Sequence, residues 1–196
     1  MPENNSEFYD ESAGAFVCDF ISRLPTTDTG RNFELYPWQT QAIMEFYGSM
    51  ERDDETGEAI RKYWYLYLEI PKKNGKSELA AALGIYHLFA DGELNAEVYV
   101  CASDKDNAGI VFGAAVFMLT TAPWTAKMIA KGELNIIQGD IRDLLLPEIR
   151  NNVSAHLRCI VCQRCCAYMG GLHHQPLFAV VCHRRRFPAL PVIVQL

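Results

Sequence analysis

Gly75-Lys76-Ser77 is the part of this chain best equipped for chemistry. The triplet sits between a strand-like run, Tyr63 to Ile70, and a helix-like run, Ser77 to Phe89. At such a turn, backbone N–H groups can curl around phosphate oxygens while the helix N-terminus faces their charge. Lys76 is then placed to reach the β- and γ-phosphates of a nucleoside triphosphate, and Ser77 to hold Mg²⁺. The phosphate-loop pattern G-x-x-x-x-G-K-[ST] asks for glycine at position 70, and Ile70 stands there instead. A short Gly-Lys-Ser match also fits a lysine-rich surface turn before an ordinary helix.

The elements needed to position this loop can be read on both sides of it. Residues 1–12 read as a disordered polar lead. Ala15, Phe16, Cys18, Phe20, Ile21 and Leu24 recur at helical spacing. Pro37 suits the first turn of a second helix that runs to Tyr47. Glu51 to Glu58 reads as an acidic connector. Val98 to Ala102 is a short buried strand. Asp104 is a good N-cap for a helix running to Leu119, with Ala108, Val111, Phe112, Ala115 and Phe117 turned inward. Pro123 breaks that helix, and Leu134 to Ile137 reads as an edge strand. Strands alternating with helices predict an α/β domain with a mainly parallel sheet flanked by helices, and the Gly-Lys-Ser turn between strand and helix makes it P-loop NTPase-like.

Composition narrows the function classes. The 196 residues are 49% hydrophobic, enough for a core, and the formal net charge of −6 provides no global basic field for nucleic acid. No apolar run is long enough to predict a membrane span. The lead lacks the layout of a signal peptide, so an intracellular protein with reduced thiols is expected. Charge is unevenly distributed. All 24 acidic residues lie at or before Glu148, and the last lysine is Lys131. A tail that long without Asp or Glu has roughly a few chances in a thousand on the overall composition. The expected organisation is therefore a lead at 1–12, a P-loop domain at 13–150 and an aberrant tail at 151–196.

Several separated motifs occur together in one order. They are Phe20-Ile21 with the Thr-Gly loop after it, Leu35-Tyr36-Pro37-Trp38-Gln39, Pro71 to Ser77, and Val98 to Ser103 continuing through Asp106-Asn107-Ala108. Together they resemble the large terminase subunit of tailed bacteriophages, over about residues 15–150. A loop without its first glycine, preceded by Pro and two basic residues, is typical of that family. The resemblance implies an ATPase using ATP and Mg²⁺ that drives duplex viral DNA into a procapsid in the host cytoplasm. The implied partners are a small terminase subunit and the portal protein, with a possible homo-oligomer. Gln39 would read the adenine edge, since an amide offers both donor and acceptor. Lys72 and Lys73 would contact phosphate oxygens beside Asn74, Gly75, Lys76 and Ser77. Trp38 is read as packing, and Asn107 stands where the family usually carries Gln.

The resemblance also marks what is missing. Hydrolysis in this class needs an Asp-Glu pair after an apolar strand, the Asp supporting Mg²⁺ and the Glu activating water. In the family it falls beyond residue 150, where this sequence has no acid. Leu144 to Glu148 is a poor match, and the family's nuclease carboxylates are absent too. The expectation is a truncated segment deficient in hydrolysis, with a frameshifted tail. Resequencing that found an intact frame, and related chains with the same tail, would refute the frameshift. A rival reading makes Cys159, Cys162, Cys165 and Cys166 a zinc site, because C-x-x-C spacing suits Zn²⁺. The sequence also fits a different P-loop enzyme, such as a nucleotide kinase, or an inert prophage remnant.

Overall fold

The computed structural model describes residues 7–71, 73–92, 96–102, 105–130, 134–138, 155–159, 177–183 and 190–195. Helix α1 (Glu11–Ser22) begins one residue after Asp10, whose carboxylate accepts the N–H groups of Ser12 at 2.9 Å and Ala13 at 3.3 Å. These bonds satisfy donors that a helix start leaves unpaired and hold the Asp10 carboxyl below its usual range, the Ser12 hydroxyl contributing most. Helix α2 (Pro37–Gly48) starts on its proline, as expected. The two helices pack closely because Gly14 has no side chain: a Cβ there would lie 2.9 Å from the Met44 Cα.

The lead is ordered where it is described. Strand β1 (Phe8–Tyr9) pairs antiparallel with β2 (Ser49–Arg52), which pairs in turn with β3 (Ala59–Arg61). This corrects two expectations, since residues 7–12 form part of the fold and 51–58 contain a hairpin turn. The turn is closed by Asp53, whose carboxylate accepts N–H from Glu55 at 3.1 Å and Thr56 at 2.8 Å.

Next come β4 (Leu66–Glu69), α3 (Lys76–Phe89), β5 (Ala96–Ala102), α4 (Lys105–Thr121), α5 (Pro123–Ala130) and β6 (Leu134–Gln138). Strands β7 (Ala155–Cys159), β8 (Leu177–His183) and β9 (Leu190–Gln195) come from the acid-free segment. The order in the sheet is β4-β9-β8-β5-β7-β6. The sheet is mixed. Strand β8 runs against both neighbours, while β4–β9, β5–β7 and β6–β7 are parallel. Strand β6 lies at an edge, as expected for Leu134 to Ile137.

Helix α3 is the hub. From Leu79 to Leu88 every residue is buried, so the helix is enclosed all round. It contacts α1, α4 and the strands. Burying Leu83 and Ile85 fully contributes about 1.5–3 kcal/mol each. On α4, Ala108, Val111, Phe112 and Ala115 are buried as expected, but Phe117 is 38% exposed and Met118 and Leu119 are inside instead.

Candidate functional site

The Gly-Lys-Ser turn lies where strand order requires it, between β4 and α3. The strand is shorter than the run from Tyr63 to Ile70, yet the alternation persists: Leu68 is buried while Tyr63, Tyr65 and Tyr67 are exposed. Two residues of the loop have left-handed backbone. Gly75 has φ 70° and ψ 15° immediately before α3, and its carbonyl accepts the Leu79 N–H at 2.9 Å. Lys73 has φ 69°, which is uncommon outside glycine and marks a backbone held by its surroundings. Asn74 Nδ2 donates to the Pro71 carbonyl at 3.2 Å, closing the loop on itself. Lys76 is only 3% exposed and its Nζ donates to the Ile70 carbonyl oxygen. The position that the motif reserves for a first glycine thus supplies a backbone oxygen to the loop lysine. Ser77 follows in the first turn, half-buried. Lys72 lies outside the described residues.

Gln39 comes to this loop from α2. It is fully buried, and its Oε1 accepts the Tyr36 N–H at 2.9 Å. Its Nε2 is buried with no hydrogen-bond partner among the described residues. That nitrogen lies 3.5 Å from where a Cβ on Gly75 would stand, and the Tyr36 ring lies 3.9 Å from the same point. A buried amide donor without a partner is costly, so its position against a phosphate-type loop is informative. Trp38 packs against the core, as expected.

Residues 37–155, more than half of the chain, match the family model for the terminase large subunit, ATPase domain. The chain belongs to that family. No curated protein sequence matches it. Among solved structures it is similar to the HK97 bacteriophage large terminase, with 22% identity and a TM-score of 0.49. That match covers 76% of this chain and 38% of the HK97 protein, so the chain spans well under half the length of that relative.

Within this terminase ATPase region, the structure brings Gln39, Gly75 and Lys76 together. Sequence reasoning missed Thr27 and Glu78, which link the loop after α1 to the first turn of α3. Thr27 N–H donates to Glu78 Oε1 at 2.7 Å, and the Thr27 hydroxyl donates to the same oxygen. No local signal predicts this pair, because the two residues are 51 positions apart.

The far end of α3 carries a different polar cluster. The Tyr47 hydroxyl is 2.8 Å from His87 Nε2, and His87 Nδ1 is 2.8 Å from Asp91 Oδ2. Arg61 reaches Asp91 at 2.9 Å and lies over the Tyr47 ring. Burial pushes the His87 imidazole below its usual range, although Asp91 acts in the other direction. A neutral ring then donates from Nδ1 to Asp91 and accepts at Nε2 from Tyr47. Tyr86 is pushed up to about 12, mainly by burial and also by Asp91.

Among the described residues no group of three or more His, Cys, Asp or Glu side chains could hold a metal ion. Cys162, Cys165 and Cys166 lie outside those residues, and Cys159 is placed only as the end of β7. Asn107 lies in the first turn of α4, while Asp104, Leu144 to Glu148 and the 150–154 border lie outside the described residues. No described helix is long and apolar enough to cross a membrane.

Proposed function

We propose that this chain is the nucleotide-holding segment of a motor that uses ATP to package duplex viral DNA, built on a P-loop NTPase-like fold. The observation that carries this reading is the meeting of three features at one turn: left-handed Gly75, buried Lys76, and the unpartnered Gln39 amide beside them. The donor set fits a nucleotide. Lys76 and the N–H groups opening α3 would hold β- and γ-phosphate oxygens, with Lys72, Lys73 and Asn74 bordering them. Ser77 would hold Mg²⁺, which when bound neutralises charge on the phosphates. Gln39 would donate from Nε2 to an acceptor on the adenine edge, while its Oε1, which keeps a second lone pair beside the Tyr36 N–H, would accept from the adenine amino group.

Residues 149–196 hold no Asp or Glu, so hydrolysis by these residues alone is expected to be weak even where ATP binds. Packaging in the host cytoplasm would engage a small terminase subunit and a portal protein, with several copies of the ATPase region acting together. The test is a comparison of MgATP with MgGTP by calorimetry. The wild type should prefer ATP, and Gln39→Ala should erase the preference. Equal binding of both nucleotides by the wild type would remove Gln39 from the reading.

A further inference from the structure

The loop from Pro25 to Asn32 is a preformed hairpin rather than a slack connector. Thr26 N–H donates to the Arg31 carbonyl at 2.7 Å, and Gly30 N–H to the Thr26 carbonyl at 2.9 Å. The hydroxyls of Thr26 and Thr29 are 2.8 Å apart, and Pro25 bridges to Asn32. Phe33 N–H donates to the Leu24 carbonyl at 2.8 Å, and both side chains are buried in the core. The hairpin is therefore anchored at its base and presents Thr27 from a fixed frame. Thr27 meets Glu78 through both its N–H and its hydroxyl.

Glu78 follows Ser77 in the first turn of α3. The end of a helix that attracts phosphate also attracts this carboxylate, so the two anions compete for one field. Two donors from Thr27 absorb that charge and tie it to the hairpin. We propose that Thr27 is a positioning residue for the phosphate site: it pins Glu78 to the 25–32 hairpin, holds the first turn of α3 in place, and keeps the carboxylate away from bound phosphate. The proposal rests on reading Gly75 to Ser77 as a phosphate site.

The test compares wild type, Thr27→Val, Thr27→Ser, Glu78→Gln and the Thr27→Val/Glu78→Gln double variant. Binding of MgATP and of inorganic triphosphate with Mg²⁺ is measured by calorimetry, and amide exchange of residues 76–79 without ligand. Thr27→Val should weaken both ligands about tenfold, the loss expected for one hydrogen bond to a charged group. It should also speed exchange in that turn. Thr27→Ser should bind as the wild type does. Glu78→Gln, still an acceptor but uncharged, should bind no more weakly, and the double variant should recover most of the loss. If the wild type binds and Thr27→Val matches it, or Thr27→Ser fails to rescue, the latch is wrong while the phosphate-site reading stands. If the wild type binds neither ligand, that reading fails and the role of Thr27 falls with it, whatever the exchange rates.

Discussion

The two ends of helix α3 meet buried polar groups in opposite ways. At its C-terminal end Tyr47, His87, Asp91 and Arg61 satisfy one another at hydrogen-bond distance, with Asp91 7% and His87 1% exposed at the side chain. At its N-terminal end Lys73 and Gly75 hold left-handed backbone, and the buried Gln39 Nε2 has no partner among the described residues. A closed network stabilises and specifies packing, whereas unused donor capacity beside a strained loop is what a ligand can use. The same helix is thus clamped at one end and at the other keeps the donor capacity that the proposed nucleotide site would use.

That contrast is sharpest for Asp91. Asp91→Ala leaves Arg61 and His87 buried without their partner, and should cost about 3–5 kcal/mol in denaturant unfolding. Nucleotide affinity of the protein that remains folded should be unchanged; a parallel loss of affinity would mean the two ends are not separable. By contrast, Gln39→Ala removes an orphan donor but also the acceptor for the Tyr36 N–H at the start of α2, so by the same measurement it should cost only about 1 kcal/mol. Its ATP affinity should fall about tenfold while inorganic triphosphate binds as before. Loss of triphosphate binding as well would show that Gln39 shapes the loop rather than meeting a base.

Acid should affect the clamped end. His87 has a depressed affinity for protons in the folded chain, so on acidification the unfolded chain binds a proton that the folded one refuses. Stability should therefore be intact above about pH 6.5 and decline below it, by at most about 1.4 kcal/mol per pH unit. His87→Gln should flatten that part of a stability–pH curve. The smallest effect belongs to neither end: Arg23→Ala removes an exposed pair with Asp19 and should move stability by less than about 0.5 kcal/mol.

How much of this was legible in the sequence depends on the range of the forces involved. Helices α1 to α4 and the loop were readable because apolar spacing, Pro37 and Gly-Lys-Ser are local signals. The β2–β3 hairpin was not, because its second strand has three residues, too few for alternation to register. Helical spacing groups Phe16 with Ile21 and Leu24, yet Phe16 is 52% exposed and rests edge-on against Tyr86, with Val17 taking the interior position. Gln39 was found through a family resemblance, while its unpartnered Nε2 became visible only once α2 and the loop were placed together. The reversed direction of β8 and the Thr27–Glu78 bond depend on contacts between distant segments, which no local pattern encodes.

The central claim is that the turn at Gly75 to Ser77 holds a polyphosphate. Calorimetry with Mg²⁺ and inorganic triphosphate, wild type against Lys76→Ala, tests it most directly, with circular dichroism confirming that both proteins fold alike. The predicted result is saturable binding by the wild type, weakened at least about a hundredfold by loss of the ammonium. Equal binding by the two proteins, or none by a folded wild type, would contradict it.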